Sequence, residues 1–378
     1  MQKRWFVRAP QDSTIVDDFR SELKVDPIVA ELLLQRGIDS YEKAEAFFRP
    51  KLTDLHDPFL MKDMDLAVDR LILAIEKKQK VLLYGDYDVD GTTAVTLLYI
   101  LLKDHIADLE FYIPDRYSEG YGVSVAGINY AEQEKFDLII TLDCGIKALD
   151  RIAEARKAGM DVIVCDHHRP GSELPDAIVL DAKRSDCSYP FDELCGCGVG
   201  FKLMQGLYLK QNWPLDPLWN QLDLLALSIG ADLVPVTGEN RVLALIGLEL
   251  LNKKPRTAFR EMLVLAKRNF PVTLTDVVFT IAPRINAAGR LRSGKFAVQL
   301  MISENLEEIQ TLAEEINADN SERRELDQGI TEHALELLET YPQNRCTNVV
   351  YHESWHKGVV GIVASRIIEK AYKPTIVL

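Results

Sequence analysis

The chain has 378 residues, enough for two or three domains at about 150 residues each. Hydrophobic residues make up 47% and charged residues 27%, an ordinary soluble balance, while a net charge of −14 argues against a generally basic nucleic-acid-binding surface. A local basic groove inside an acidic exterior stays compatible with a polyanionic ligand. No apolar run reaches the ~20 residues that cross a bilayer, and Met1–Pro10 has basic residues without an apolar core. Neither a membrane span nor a secretory signal is expected, and the expected location is cytoplasmic. The cysteines, Cys144, Cys165, Cys187, Cys195, Cys197 and Cys346, include no Cys-x-x-Cys pair, so reduced thiols are expected. Cys195-Gly196-Cys197 reads as a tight backbone turn.

Residues 1–78 read as a helical N-terminal arm, with helices over Ile28–Gln35, Tyr41–Phe48 and Met64–Lys77. Arg49 and Lys51 read as a solvated basic pair. From Val81 the pattern alternates. Strands are expected at 81–84, 110–113, 137–142, 161–165 and 177–180, and helices at 92–103, 123–134, 147–158, 198–211 and 215–230. Such alternation implies an α/β domain, a doubly wound and mostly parallel sheet covered on both faces. The expected domain, 79–304, ends in a helical layer that includes Leu243–Leu251 and Ala258–Ala266. Within it Pro283–Arg292 reads as a loop carrying Arg284, Asn286, Arg290 and Arg292, an arrangement suited to bidentate phosphate contacts.

Residues 305–341 read as one long helix. Leu306, Ile309, Leu312 and Ile316 form an apolar stripe at one end, and Leu326, Ile330, Ala334 and Leu337 form another. Asp319–Glu325 between them is wholly polar. A helix apolar at both ends bridges two domains, here over about 50 Å. Asn320, Arg323 and Arg324 then either face the cleft or pair along the helix surface. Residues 342–378 hold a strand (Thr347–Tyr351), a helix (Gly358–Lys370) and the start of a strand at Thr375. Two strands and a helix do not close a core alone, so the second α/β domain is expected to be incomplete.

The chemistry gathers at the ends of apolar segments. Asp86, Asp88 and Asp90 alternate after the first strand and would share one face if extended, converging on a cation. Asp-rich turns usually bind nothing, however, and an EF-hand is excluded because Leu97 stands where its bidentate Glu belongs. The stronger signal lies downstream. Asp143 ends the strand 137–142, Asp166-His167-His168 ends 161–165, and Asp232 closes Leu222–Ala231. A site at the carboxyl ends of parallel strands is the expected place for chemistry. Carboxylates with one or two imidazoles suit Mn²⁺ or Mg²⁺ better than zinc. A cluster this acidic can hold two ions, which clamp the attacking and leaving oxygens in phosphoester hydrolysis.

The order Asp-x-Asp-x-Asp-Gly, Asp-Cys-Gly, Asp-His-His, Gly-Ala-Asp resembles the four N-terminal motifs of the DHH phosphoesterase superfamily. Ile113-Pro114-Asp115-Arg116, Glu119–Gly122, Gly198–Leu203, Pro283–Arg290 and Gly358–Arg366 narrow the resemblance to the RecJ family of single-stranded-DNA-specific 5′→3′ exonucleases, from about Leu55 to the last residue. The resemblance implies the DHH fold and metal-dependent hydrolysis of single-stranded DNA from the 5′ end, in repair and recombination. It also implies a DHH-associated second domain followed by an OB-fold, both mostly absent from this sequence. It makes Asp88, Asp90, Asp143, His167 and Asp232 ligands of two Mn²⁺ or Mg²⁺ ions, with Asp143 as the bridge. Asp86 joins them, although relatives carry a His upstream where this chain has Tyr84. Asp166 is expected to orient His167, and His168 to contact the scissile phosphate. Arg116, Arg284, Asn286, Arg290 and Arg292 are expected on the DNA. The implied partners are single-stranded DNA, single-stranded-DNA-binding protein and repair helicases, with no membrane. A relative acting on short oligonucleotides or cyclic dinucleotides is the nearer rival. A non-catalytic scaffold is the farther one, and such scaffolds have lost ligands that are all filled here.

Overall fold

Val81–Gly85 (β1), Leu109–Tyr112 (β2), Leu138–Leu142 (β3), Asp161–Cys165 (β4) and Ile178–Leu180 (β5) pair in the order β2-β1-β3-β4-β5, every pair parallel. The computed structural model describes residues 4–342 and 345–378. Residues 1–3 and 343–344, at the start of the expected arm and of the expected second domain, lie outside the described residues. Along the strands, alternate side chains enter opposite cores, as the two-residue period requires. Leu83, Ile140, Leu142 and Ile163 join one core, while Leu82, Tyr84, Ile139, Val162 and Val164 join the other. Both faces are buried along β1, β3 and β4, which is why these strands are mostly apolar.

Ser13–Leu23 (α1), Pro27–Leu34 (α2), Tyr41–Phe48 (α3) and Met64–Glu76 (α4) precede the sheet. Helix α1 was not expected. Its signals were an Asp12 cap and two apolar residues, Val16 and Phe19, which meet Ala30, Leu33 and Ala44 in a small core. Val89–Leu102 (α5) and Gly196–Lys210 (α8) cover one face of the sheet, and Val125–Gln133 (α6) and Leu149–Lys157 (α7) cover the other. Asp216–Trp219 (α9) and Leu222–Ala231 (α10) divide the helix expected at 215–230.

The helical layer continues with Gly238–Lys253 (α11), Thr257–Leu265 (α12), Leu274–Thr280 (α13), Ala282–Leu291 (α14) and Lys295–Ile302 (α15). The expected loop at 283–292 is therefore a helix. Pro283 sits in its first turn, where the missing N–H costs nothing, and Ala282, Ile285, Ala287 and Ala288 form its buried face. Small residues hid that face in the sequence.

Leu306–Glu339 (α16) is one helix of 34 residues, about 51 Å long. Ile309, Ala313 and Ile316 enter the main core, and Ile330 and Ala334 enter a separate one. Its middle is drier than expected. Asp319 and Asn320 are buried, the first against Arg292 at 3.0 Å and the second accepting from Arg323 at 2.7 Å. Beyond it, Asn348–Val350 (β6) and Thr375–Val377 (β7) are parallel and joined through Val360–Lys370 (α17). Val350, Trp355, Val359, Val363 and Ile367 do close a core, because the end of α16 supplies the layer that two strands and a helix lack. Among the described residues no helix is long and apolar enough to cross a membrane.

Candidate metal centre

The turn after β1 departs from the extended geometry expected of Asp86, Asp88 and Asp90. Helix α5 begins at Val89, three residues early, because the Asp88 side chain caps it by accepting from Gly91 N at 3.1 Å. A Cβ on Gly91 would lie 2.5 Å from the Asp86 carbonyl oxygen, so only glycine lets the turn close. Asp86 is fully buried. One of its carboxylate oxygens faces Gly122 N at 3.5 Å, and the other has no partner. Asp90 lies in the first turn of α5 and points at the start of another helix. It accepts from Gly196 N at 2.6 Å, Cys197 N at 2.7 Å and Ser228 Oγ at 2.5 Å. Cys195-Gly196-Cys197 is thus the N-terminus of α8 rather than a free turn, and its amides hold a carboxylate.

Asp143 follows β3 in the left-handed backbone region, at φ 59°. Its carboxylate is buried with Oδ1 unbonded, 3.2 Å from His167 Nε2 and 3.9 Å from His168 Nδ1. Gly196 leaves room for it, since a Cβ there would approach Asp143 Oδ1 to 2.8 Å. Asp232, the residue capping the C-terminus of α10, brings Oδ2 to 3.6 Å from His167 Nε2, and Asp90 Oδ2 is 3.7 Å away. The result is two groups able to hold a cation, Asp143–His167–His168 and Asp90–His167–Asp232. The ligating atoms of each lie within 4.8 Å of one another. Among the described residues, neither Asp86 nor Asp88 belongs to such a set.

Asp166 does not orient His167. Its Oδ1 bonds His168 Nδ1 at 2.8 Å and receives the backbone amides of both histidines. The two rings also pack edge to face, centroids 4.6 Å apart, because both residues lie past the end of β4 and strand alternation no longer applies. On the other side of His168, Nε2 lies 3.2 Å from the Tyr121 hydroxyl. Neither ring nitrogen of the buried His167 has a hydrogen-bond partner.

The electrostatics match a site built for cations. Burial, then the charge of Asp88, pushes Asp86 up to about 7. Burial, then Asp90 and Asp88, pushes Asp232 up to about 7. Burial followed by Asp90, Asp88 and Asp166 holds Asp143 well above the carboxylate range, and burial followed by Asp90 raises Asp88. Asp166 goes down: burial opposes ionisation there, but the bond to His168, its charge and the amides of Ile146 and His168 together outweigh it. That bond raises His168, whereas burial lowers His167. Clustered carboxylates with unbonded oxygens beside an unbonded imidazole fit a divalent cation in charge and donor type.

Sequence reasoning missed several members of the site. Asp181 ends β5 as Asp143 ends β3. It is buried, with Oδ2 unpartnered, and burial pushes it up to about 7. Its signal was the same apolar run followed by Asp. Ser228 and the α8 amides carried no local signal. Of the expected substrate residues, Arg116 lies over the Tyr87 ring at 4.9 Å and Arg290 donates to the Gly358 carbonyl at 3.0 Å. Arg284 is buried on Thr280 O and Asn317, Arg292 pairs with Glu315 and Asp319, and Asn286 is half-buried. Arg284 and Arg292 therefore brace α14 against its neighbours and are not presented on a loop.

The model of the DHH family's N-terminal domain matches residues 80–229. A manganese-bound exonuclease RecJ is 31% identical with a TM-score of 0.78, over 87% of this chain and 82% of that one. The chain belongs to the RecJ family. Its α/β architecture is the DHH fold of that family. The single-stranded-DNA-specific exonuclease RecJ of Bacillus subtilis is 40% identical over 99% of this chain, which spans 47% of that RecJ's length. The RecJ of Thermus thermophilus in complex with Mn²⁺ gives a TM-score of 0.85 at 29% identity, over 99% of this chain and 54% of that one.

Proposed function

We propose that this chain carries the hydrolytic centre of a single-stranded-DNA exonuclease that works from the 5′ end with two Mn²⁺ or Mg²⁺ ions. The observation that carries the reading is the position of His167, shared by two cation-binding groups at the carboxyl edge of the sheet. Relatives named as single-stranded-DNA-specific exonucleases and structures solved with Mn²⁺ or Mg²⁺ support it. Asp143 and His167 would hold one ion, beside His168, and Asp90, His167 and Asp232 the other, with His167 common to both and Asp86 and Asp88 adding charge close by. Two such ions lower the pKa of a water and stabilise the charge that develops on the phosphate.

The chain's own residues do the rest. The α8 amides and Ser228 hold Asp90 still, so its carboxylate keeps one orientation. Asp166 and Tyr121 hold both nitrogens of His168, aiming the ring at the scissile phosphate. Arg116 and Arg290 take phosphates further along the strand. The 5′ polarity comes from the family resemblance, as do a cytoplasmic location and the partners single-stranded-DNA-binding protein and repair helicases.

The test uses single strands labelled at either end. With Mn²⁺, a 5′ label should appear at once as mononucleotide while a 3′ label stays on shortening strands, and a chelator should stop both. Endonucleolytic cuts, or cleavage of cyclic dinucleotides in preference to long strands, would overturn the reading.

A further inference from the structure

Two segments that flank the metal centre are tied to one buried ion pair. Lys202 of α8 and Glu239 of α11 are both closed to solvent, with Nζ 2.6 Å from Oε1. Lys202 also donates to the His56 carbonyl at 2.9 Å and to Gln205 Oε1 at 3.0 Å, which uses all three of its donors. Glu239 Oε1 accepts the His56 amide at 2.9 Å, and Oε2 accepts the Tyr189 hydroxyl at 2.6 Å. Asn240, the next residue, is buried as well. Its Nδ2 donates to the Glu193 carbonyl at 2.5 Å and to the Pro235 carbonyl at 3.1 Å, while Oδ1 has no hydrogen-bond partner.

Stability is a poor account of this network. Taking two charges out of water costs about what their attraction returns, and apolar residues of similar volume would serve as well. The orphaned oxygen of Asn240 adds to the cost. What the network fixes is geometry. Glu193 stands two residues before Cys195, the cap of α8, and the Gly196 and Cys197 amides that follow hold Asp90. Pro235 stands three residues after Asp232. Asp90 and Asp232 are the two carboxylates of one cation group, Asp90–His167–Asp232. The first turn of α11 therefore clamps the approach to each of them. Asp143 and His168 follow β3 and β4 instead, where the sheet sets their position.

We propose, resting on the two-ion reading above, that Lys202, Glu239 and Asn240 are positioning residues for the cation held by Asp90, His167 and Asp232. They fix the start of α8 and the turn after Asp232, so that the two carboxylates keep the spacing the ion needs. They act through the backbone and touch neither ion nor strand.

The test is a titration of the chelator-stripped chain with Mn²⁺, free metal being read by electron paramagnetic resonance. The unmodified chain should show two sites. Asn240→Ala should weaken one of them about tenfold and leave the other within about twofold. The apolar pair, Lys202→Met with Glu239→Met, should weaken the same site while its metal-free melting temperature stays within about 3 °C. Asn252 makes a comparable clamp at the far end of α11, on the Val272 backbone. Asn252→Ala should lower the melting temperature and move neither affinity. If both sites weaken together in the clamp variants, or only the melting temperature moves, the residues are structural and the proposal fails. Should Asn240→Ala not fold, the apolar pair carries the test, and if neither folds the network is structural. If the unmodified chain binds fewer than two ions, the two-ion reading falls and this inference with it. If it binds two and no clamp variant separates them, only the inference falls.

Discussion

The two edges of the same parallel sheet treat their charges in opposite ways. At the amino edge, Arg70 donates to Asp161 at 2.6 Å, to Gln79 and to the Asp137 carbonyl, and Arg156 pairs with Asp161 as well. Lys80 meets Glu110 at 3.0 Å and Glu134 at 3.4 Å, while its amide caps Asp137. At the carboxyl edge, Asp86, Asp143 and Asp232 meet other acids and a histidine, and Asp86 and Asp143 keep unbonded oxygens. Burial raises the acids of the carboxyl edge, whereas at the amino edge Arg70 and Arg156 outweigh it and hold Asp161 down. Acidic residues are present at both edges. The difference is whether the fold supplies their countercharge or leaves that to a ligand.

The largest effect should follow from removing the buried carboxylate that lies beside His167, the residue the two cation groups share. Asp143→Asn keeps the volume and the left-handed backbone that Asn tolerates. Mn²⁺-dependent hydrolysis should drop by at least about 10³-fold, with the circular dichroism spectrum unchanged. Near-normal activity would mean that Asp143 is not central to the site.

The histidines should separate next. His167→Ala should lose bound Mn²⁺, read by elemental analysis, because both groups use it. His168→Ala should keep the metal and lose about 10²-fold in kcat. Equal metal loss in the two variants would undo that division.

Metal-free stability should reveal the uncompensated edge through its pH dependence. Asp86 and Asp232 are held near 7 when folded, against 3.8 as free side chains. The folded chain then binds protons that the unfolded chain has released, so stability falls as pH rises from about 4 through about 7. In chelator, the melting temperature should be several degrees lower at pH 8 than at pH 5.5, and added Mn²⁺ should erase the difference. A metal-free chain more stable at pH 8 would contradict the crowding of these acids.

The smallest effect belongs to the amino edge. Arg70→Ala should cost about 1–2 kcal/mol in denaturant unfolding, from charge-assisted bonds that are partly open to water. Hydrolysis should be unchanged. A loss of activity there would show that the two edges are coupled.

Local pattern made the sheet, the long helix and most of the site legible. Apolar runs ending in Asp86, Asp143 and Asp166-His167-His168 could be read directly, because a parallel strand buried on both faces carries no charged residue along its buried length. Where local pattern was silent or misleading, packing made the decision. Helix α14 was mistaken for a loop because Ala and Gly bury as well as Leu against a close neighbour, and its arginines turned inward with it. Asp166, expected on His167 from the resemblance, bonds His168 instead, because past Cys165 the backbone leaves the strand and brings both histidine amides and the His168 ring to one carboxylate oxygen.

The sequence by itself determined that carboxylates and imidazoles would arrive at one edge of one sheet. Strand period and topology depend on neighbours in the chain, and both are written there. Only the tertiary structure decided which acids would be neutralised and which left bare. Asp90 is held by amides 106 and 107 residues away and by a hydroxyl 138 residues away. Asp327 meets Arg366 from another helix, 39 residues on. A charge's partner is set by distance in space, and for these groups that distance exists only once helices from separate parts of the chain have packed.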